Sequence, residues 1–69
     1  MGASNLTLPA RISPDGLVAT WNPALTRGRT VILLVRGVSG ETVARASLNS
    51  GRARVREGER IEAVRVPNE

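Results

Sequence analysis

The sequence holds no cysteine and no histidine. The first absence removes disulfides and thiolate metal ligands, and the two together exclude zinc and haem sites of the usual kinds. Lysine, phenylalanine and tyrosine are missing too, and Trp21 is the lone aromatic residue. Without His, Cys, Tyr or Lys, general acid–base and nucleophilic catalysis has little to work with. The acids are Asp15, Glu41, Glu57, Glu59, Glu62 and Glu69. Asp15 belongs to a turn. Glu57 and Glu59 flank Gly58 as solvated turn residues, and two carboxylates make a poor calcium site. Ser13, Ser39 and Ser50 are turn residues with no base to activate them. The expectation is a protein without enzymatic activity, cofactor or small-molecule substrate. Long apolar runs are also lacking. The longest, Val31 to Val35, is far too short to span a bilayer. No basic segment precedes an apolar one at the N-terminus, so no signal peptide is expected, and localisation is otherwise open.

What is present is a short, basic chain. Its 69 residues make one small domain, and a chain of that size buries only about 60% of the surface its unfolded form exposes. With disulfides and metals excluded, core packing or oligomerisation must supply stability. All ten cationic side chains are arginine, and the net charge is +4. Arginine without lysine, together with abundant Ala, Val and Gly, reads as codon bias from a GC-rich genome. Whatever its origin, the charge steers the protein toward anionic partners.

Alternation and turn chemistry predict the elements. Leu6 to Ile12 alternates with period two, as a half-buried strand does, and Pro9 places it at an edge or leaves that face free. Ser13-Pro14-Asp15-Gly16 has the signature of a type I turn. Leu17 to Trp21 alternates again, pairing Ile12 with Leu17, Ala10 with Ala19 and Leu8 with Trp21. Asn22-Pro23 ends that strand, and a loop follows to Arg29. Val31 to Val38 is apolar on both faces, so it reads as a central strand covered on both sides. Ser39-Gly40 serves as a two-residue hairpin loop, which pairs Val35 with Ala44, Leu33 with Ala46 and Val31 with Leu48. Arg52 to Arg56 and Arg60 to Val66 follow, and a three-residue loop between them sets Arg54 opposite Glu62 as a cross-strand ion pair. The result is an all-β domain, a small six-stranded antiparallel β-sandwich or barrel, over residues 6–66. A flexible N-terminus (1–5) and a short tail (67–69) flank it. The expected core leans on Ala10, Ala19, Ala44, Ala46, Ala53 and Ala63. It is thin, which favours an assembly over an isolated chain.

Two stretches resemble fibronectin type III and immunoglobulin-like domains. Leu17-Val18-Ala19-Thr20-Trp21-Asn22-Pro23 is similar to the second fibronectin type III strand, where an inward Trp precedes a Pro turn. Val55-Arg56-Glu57-Gly58-Glu59-Arg60-Ile61 is similar to that family's corner, with Ile61 in place of Tyr and Glu57 in place of Pro. The resemblance covers roughly residues 8 to 66. It implies a sandwich in which the chain crosses between sheets at Glu57-Gly58, whereas a meander would make a local hairpin there. It also implies a seventh strand, for which the chain ending at Glu69 leaves no room.

Two groups of residues are candidates for function. Arg27, Arg29, Arg52, Arg54 and Arg56 form basic rows that suit an anion or a partner surface. The ordinary role of such rows is a solvated strand face that also guards an edge against aggregation. Ile32, Leu34, Val38, Val43, Val64 and Val66 form an apolar second face that needs a cover. The first expectation is a non-enzymatic structural or interaction module that docks to other chains or to its own copies. Analogy of size and fold extends it to a phage virion decoration or tail component at the virion surface. The alternative is a basic β-barrel that holds nucleic acid through phosphates. Trp21 reads as core, so no aromatic platform for stacked bases is expected.

Overall fold

A computed structural model of the chain describes residues 5–26 and 29–67. Seven strands lie in that range: β1 (Asn5–Thr7), β2 (Ala10–Ile12), β3 (Val18–Trp21), β4 (Val31–Arg36), β5 (Thr42–Ser47), β6 (Arg52–Arg54) and β7 (Arg60–Pro67). A 3₁₀ turn at Pro23–Thr26 joins β3 to β4. The strands form two antiparallel sheets, ordered β1-β7-β4-β5 and β2-β3-β6. The all-β expectation holds, and the arrangement is compatible with a β-sandwich. The strand count is corrected from six to seven.

The extra strand comes from splitting the first predicted one. Leu8 N–H donates to Val64 O at 2.8 Å, which keeps the chain on the larger sheet through Leu8. Pro9 has no N–H to continue that ladder, and Ala10 already pairs with Trp21 in the smaller sheet. The chain therefore crosses between sheets at Leu8-Pro9, with the Leu8 side chain buried beneath the crossing. β1 occupies the edge beside β7.

The Ser13–Gly16 turn forms as its sequence demands. Gly16 N–H donates to Ser13 O at 2.8 Å. Ser13 Oγ donates to Asp15 Oδ1, which also accepts Leu17 N–H, and Val18 N–H donates back to Ser13 Oγ. Gly16 takes φ +76°, and a Cβ there would run into Arg60 Cγ. Leu17 leaves the ladder, so Ile12 pairs with Ala19 rather than Leu17. A two-residue shift preserves which face is apolar. Gly16 O links the layers by accepting Ile61 N–H of β7 at 2.8 Å, while Leu17 O accepts Val55 N–H at 2.9 Å and extends the β3–β6 pairing.

The β4–β5 hairpin departs further. Gly37 N–H donates to Glu41 O, and Gly40 N–H donates to Gly37 O, which closes a three-residue loop with Gly40 at φ +90°. The two-residue turn would need positive φ at Ser39 as well, and Ser39 does not have it. The register moves by one residue: Val35 pairs with Val43, Leu33 with Arg45 and Val31 with Ser47. A one-residue slip exchanges the faces of a strand. Val43 and Arg45 thus share the inner side with Leu33 and Val35, while Ala44 and Ala46 point outward. Leu48, expected opposite Val31, is 83% exposed.

A bulge corrects β7. Leu34 pairs with Ala63 but Val35 pairs with Ile61. The added residue lets Ile61, Val64 and Val66 all face inward, although their numbering breaks the period of two. β6 pairs with β3, not β7. The chain therefore crosses between sheets at Glu57-Gly58, and the expected Arg54–Glu62 pair does not form. Glu62 instead meets Arg36 at 3.0 Å.

One core joins the sheets. The larger sheet supplies six aliphatic side chains, Val31, Leu33, Val35, Ile61, Val64 and Val66, each worth ~1.5–3 kcal/mol when fully buried. The smaller sheet supplies Ala19, Ala53 and Trp21, so Trp21 fills most of the space on its side. Its Nε1–H donates to Asn49 Oδ1 at 2.8 Å, which satisfies the one polar atom it carries into the interior. Of the alanines expected in the core, Ala19 and Ala53 are there, Ala10 packs at its margin, Ala63 is half-buried opposite Leu34 outside the core, and Ala44 and Ala46 are exposed.

Candidate docking edge and arginine groove

The two sheets have four edge strands. β1, β2 and β6 are three residues each, whereas β5 is six. Short edges are one way proteins avoid unwanted pairing, and a long regular edge is a template for another strand. The pairing of β5 with β4 runs without interruption from Val31↔Ser47 to Arg36↔Thr42. Since Gly37 bonds to Glu41, alternation along an antiparallel ladder turns the amides of Val43, Arg45 and Ser47 toward β4. The amides and carbonyls of Thr42, Ala44 and Ala46 then face the open edge. Every β5 residue is exposed except Ser47, which is half-buried.

Beneath the inner side of β5 an open groove of about 690 Å³ is lined by Leu17, Arg45, Arg54, Val55, Arg56 and Glu57. Each wall has a simple origin. The β4–β5 register turns Arg45 inward, and the Glu57-Gly58 crossing brings the end of β6 below it. Arg45 is held in a fork: Nη2 donates to Glu59 Oε2 at 2.9 Å and Nη1 to Oε1 at 3.3 Å. Glu59 Oε1 also accepts the Arg56 N–H at 3.0 Å. The Arg45 hydrogen bond first, then the Arg56 amide, hold the Glu59 carboxyl at about 2, well below its ordinary 4.5. Among the described residues no carboxylate forms an ion pair with Arg54 or Arg56.

The outer face of the smaller sheet is basic. Arg11 pairs with Thr20, which pairs with Arg52, and Arg54 sits beside Val18 in the next row. Sequence reasoning named Arg52, Arg54 and Arg56 but missed Arg11. It stood on the polar side of the predicted first strand, and only the β2-β3-β6 order places it in line with Arg52. Arg29 donates to Pro67 O at 3.3 Å and is occupied with the end of β7. Arg27 lies outside the described residues.

The apolar candidates scatter. Ile32 and Leu34 are half-buried on the outer face of the larger sheet, where Leu34 pairs with Ala44 and Ala63. The Arg36–Glu62 pair lies at one end of that face, with Thr42 Oγ1 donating to Glu62 Oε1 at 2.9 Å. Val43 is 47% exposed on the opposite, inner side. Val38 sits at the hairpin tip, 85% exposed, over Gly58. Val64 and Val66 are corrected outright: the β7 bulge turns them into the core, where they touch no solvent-facing surface.

A second hollow of about 470 Å³ at the loop end gathers Asp15, Glu57, Glu59, Arg36 and Arg60. Its carboxylates are largely engaged. Asp15 is lowered by the Ser13 hydroxyl and then the Leu17 amide, and Glu59 is bound to Arg45. Among the described residues no group of three His, Cys, Asp or Glu side chains is placed to hold a metal, and no helix is long and apolar enough to cross a membrane. The chain matches no family model, no curated protein and no solved structure.

Proposed function

We propose that this protein is a non-enzymatic interaction module, a shortened immunoglobulin or fibronectin type III-like sandwich that docks another protein chain along β5. The observation that carries the proposal is the length and regularity of that edge, with the amides of Thr42, Ala44 and Ala46 turned outward. Strand addition to an open edge is a recurrent way of binding extended peptides. The crossing at Glu57-Gly58, the inward Trp21 and the edge position of β1 beside β7 support the family likeness. An assembly such as a phage virion is the setting we propose on analogy of size and fold alone.

The test is selection of peptides from a random library on the protein and on its Ala44→Pro variant. Proline at an edge position removes only an outward N–H. Selected peptides should bind the parent and lose binding to the variant. Peptides that bind both equally, or a library that yields none, would remove β5 as the docking edge.

The row Arg11, Arg52 and Arg54 favours a second reading, nucleic acid held by its phosphates. Its affinity would fall steeply with salt and would drop when Arg52, Arg54 and Arg56 are replaced by Ala. Full affinity in the triple variant would sink it.

A further inference from the structure

Resting on β5 as the docking edge, we infer that the partner segment is acidic: an extended chain carrying carboxylates at alternate positions, which pairs with Thr42, Ala44 and Ala46 and sets those carboxylates into the groove of Arg45, Arg54 and Arg56. The inference follows from what a strand added to β5 would meet on its two faces. Successive side chains point to opposite sides of a sheet, and alternate ones are about 7 Å apart. On the inner side they meet the groove that Arg45, Arg54 and Arg56 line together. On the outer side they lie next to Ala44 and Ala46, and beyond those to Ile32 and Leu34. The fitting segment therefore alternates acidic and apolar residues.

Charge decides between occupants. A second copy of this chain joined β5 to β5 would bring two such arginine grooves to one edge and add a second net charge of +4, which like-charge repulsion opposes. An acidic segment meets Arg54 and Arg56, which have no ion-pair partner among the described residues, and guanidinium–carboxylate forks are among the stronger polar contacts. An inward-pointing charge also guards an edge against indiscriminate pairing. Here one arrangement does both: Arg45, braced by Glu59, deters apolar or basic strands and admits an acidic one.

The experiment is an amide NMR titration of the intact protein with a blocked peptide of alternating glutamate and valine, about seven residues long. The Thr42, Ala44 and Ala46 amide signals should move downfield. N-methylation of the peptide's edge-facing amides should abolish binding, and Arg54→Gln with Arg56→Gln should weaken it about ten-fold. Both arginines are exposed and outside the core, so that variant keeps its fold. Binding unchanged by N-methylation would mean charge contact alone and would overturn the inference. So would a valine–threonine or lysine–valine peptide that binds as tightly, or peptide-free, concentration-dependent shifts of the same amides, but these last two leave β5 standing as a docking edge. Silence of the three amides with every peptide and at every concentration would remove the docking edge as well.

Discussion

The two long sides of this molecule are built differently. On one side the chain itself closes the gap between the sheets: β1 runs into β2 through Leu8-Pro9, Leu8 is buried beneath the crossing, and its amide is bonded to Val64. On the other side the chain crosses from β5 to β6 through residues 48–51 and from β6 to β7 at Glu57-Gly58, yet an open groove lined by Arg45, Arg54 and Arg56 remains between them. The same inward alternation of side chains that makes core on the first side makes a charged, exposed surface at Arg45 on the second. A domain this small has little core to spare, so a six-residue strand that contributes none of its side chains to that core is a place to look for function.

The contrast can be broken by mutation. Leu8→Ala removes a buried side chain from the closed side and should cost about 2–4 kcal/mol. Val43→Ala, on the inner side of β5 and half-exposed, should cost less than about 1 kcal/mol. Urea unfolding with an unchanged m-value measures both. Equal costs would mean that β5 is covered and the two sides are alike.

A smaller effect sharpens the groove. Glu59 has a folded pKa of about 2 against an ordinary 4.5, so the folded state binds fewer protons than the unfolded one in between. Its contribution is fully present above about pH 5 and is lost as pH falls toward 2. Asp15 and Glu62 are shifted the same way, by Ser13 and Thr42 first. The melting temperature should therefore hold above pH 5 and decline below it. Glu59→Gln should flatten part of the decline, and an unaltered pH profile in that variant would show that the Arg45 fork contributes nothing.

Much of this was legible in the residues. Ser13-Pro14-Asp15-Gly16 specified its turn because each side chain there has a local hydrogen-bonding or backbone reason to be present. Trp21 declared itself core by its place in an alternating strand. Three features were hidden for physical reasons. Pro9 marks an edge strand but does not say that the chain changes sheets there. Ile61, Val64 and Val66 share a face only through a bulge, which apolar periodicity alone does not reveal. Gly40 supports either a two-residue or a three-residue loop, and that one-residue difference decides whether Arg45 points out to solvent or into the groove. The candidate site was thus half visible. Arg54 and Arg56 could be named from their strand, while Arg45 and the edge-facing amides depended on a register that turn geometry sets.

Amide hydrogen exchange along β5 in dilute, unliganded protein tests the open edge most directly. Alternation is expected: Val43, Arg45 and Ser47, bonded to β4, exchange slowly, while Thr42, Ala44 and Ala46 exchange as fast as exposed loop amides. Uniform protection of all six would contradict it, because the edge would then already be paired.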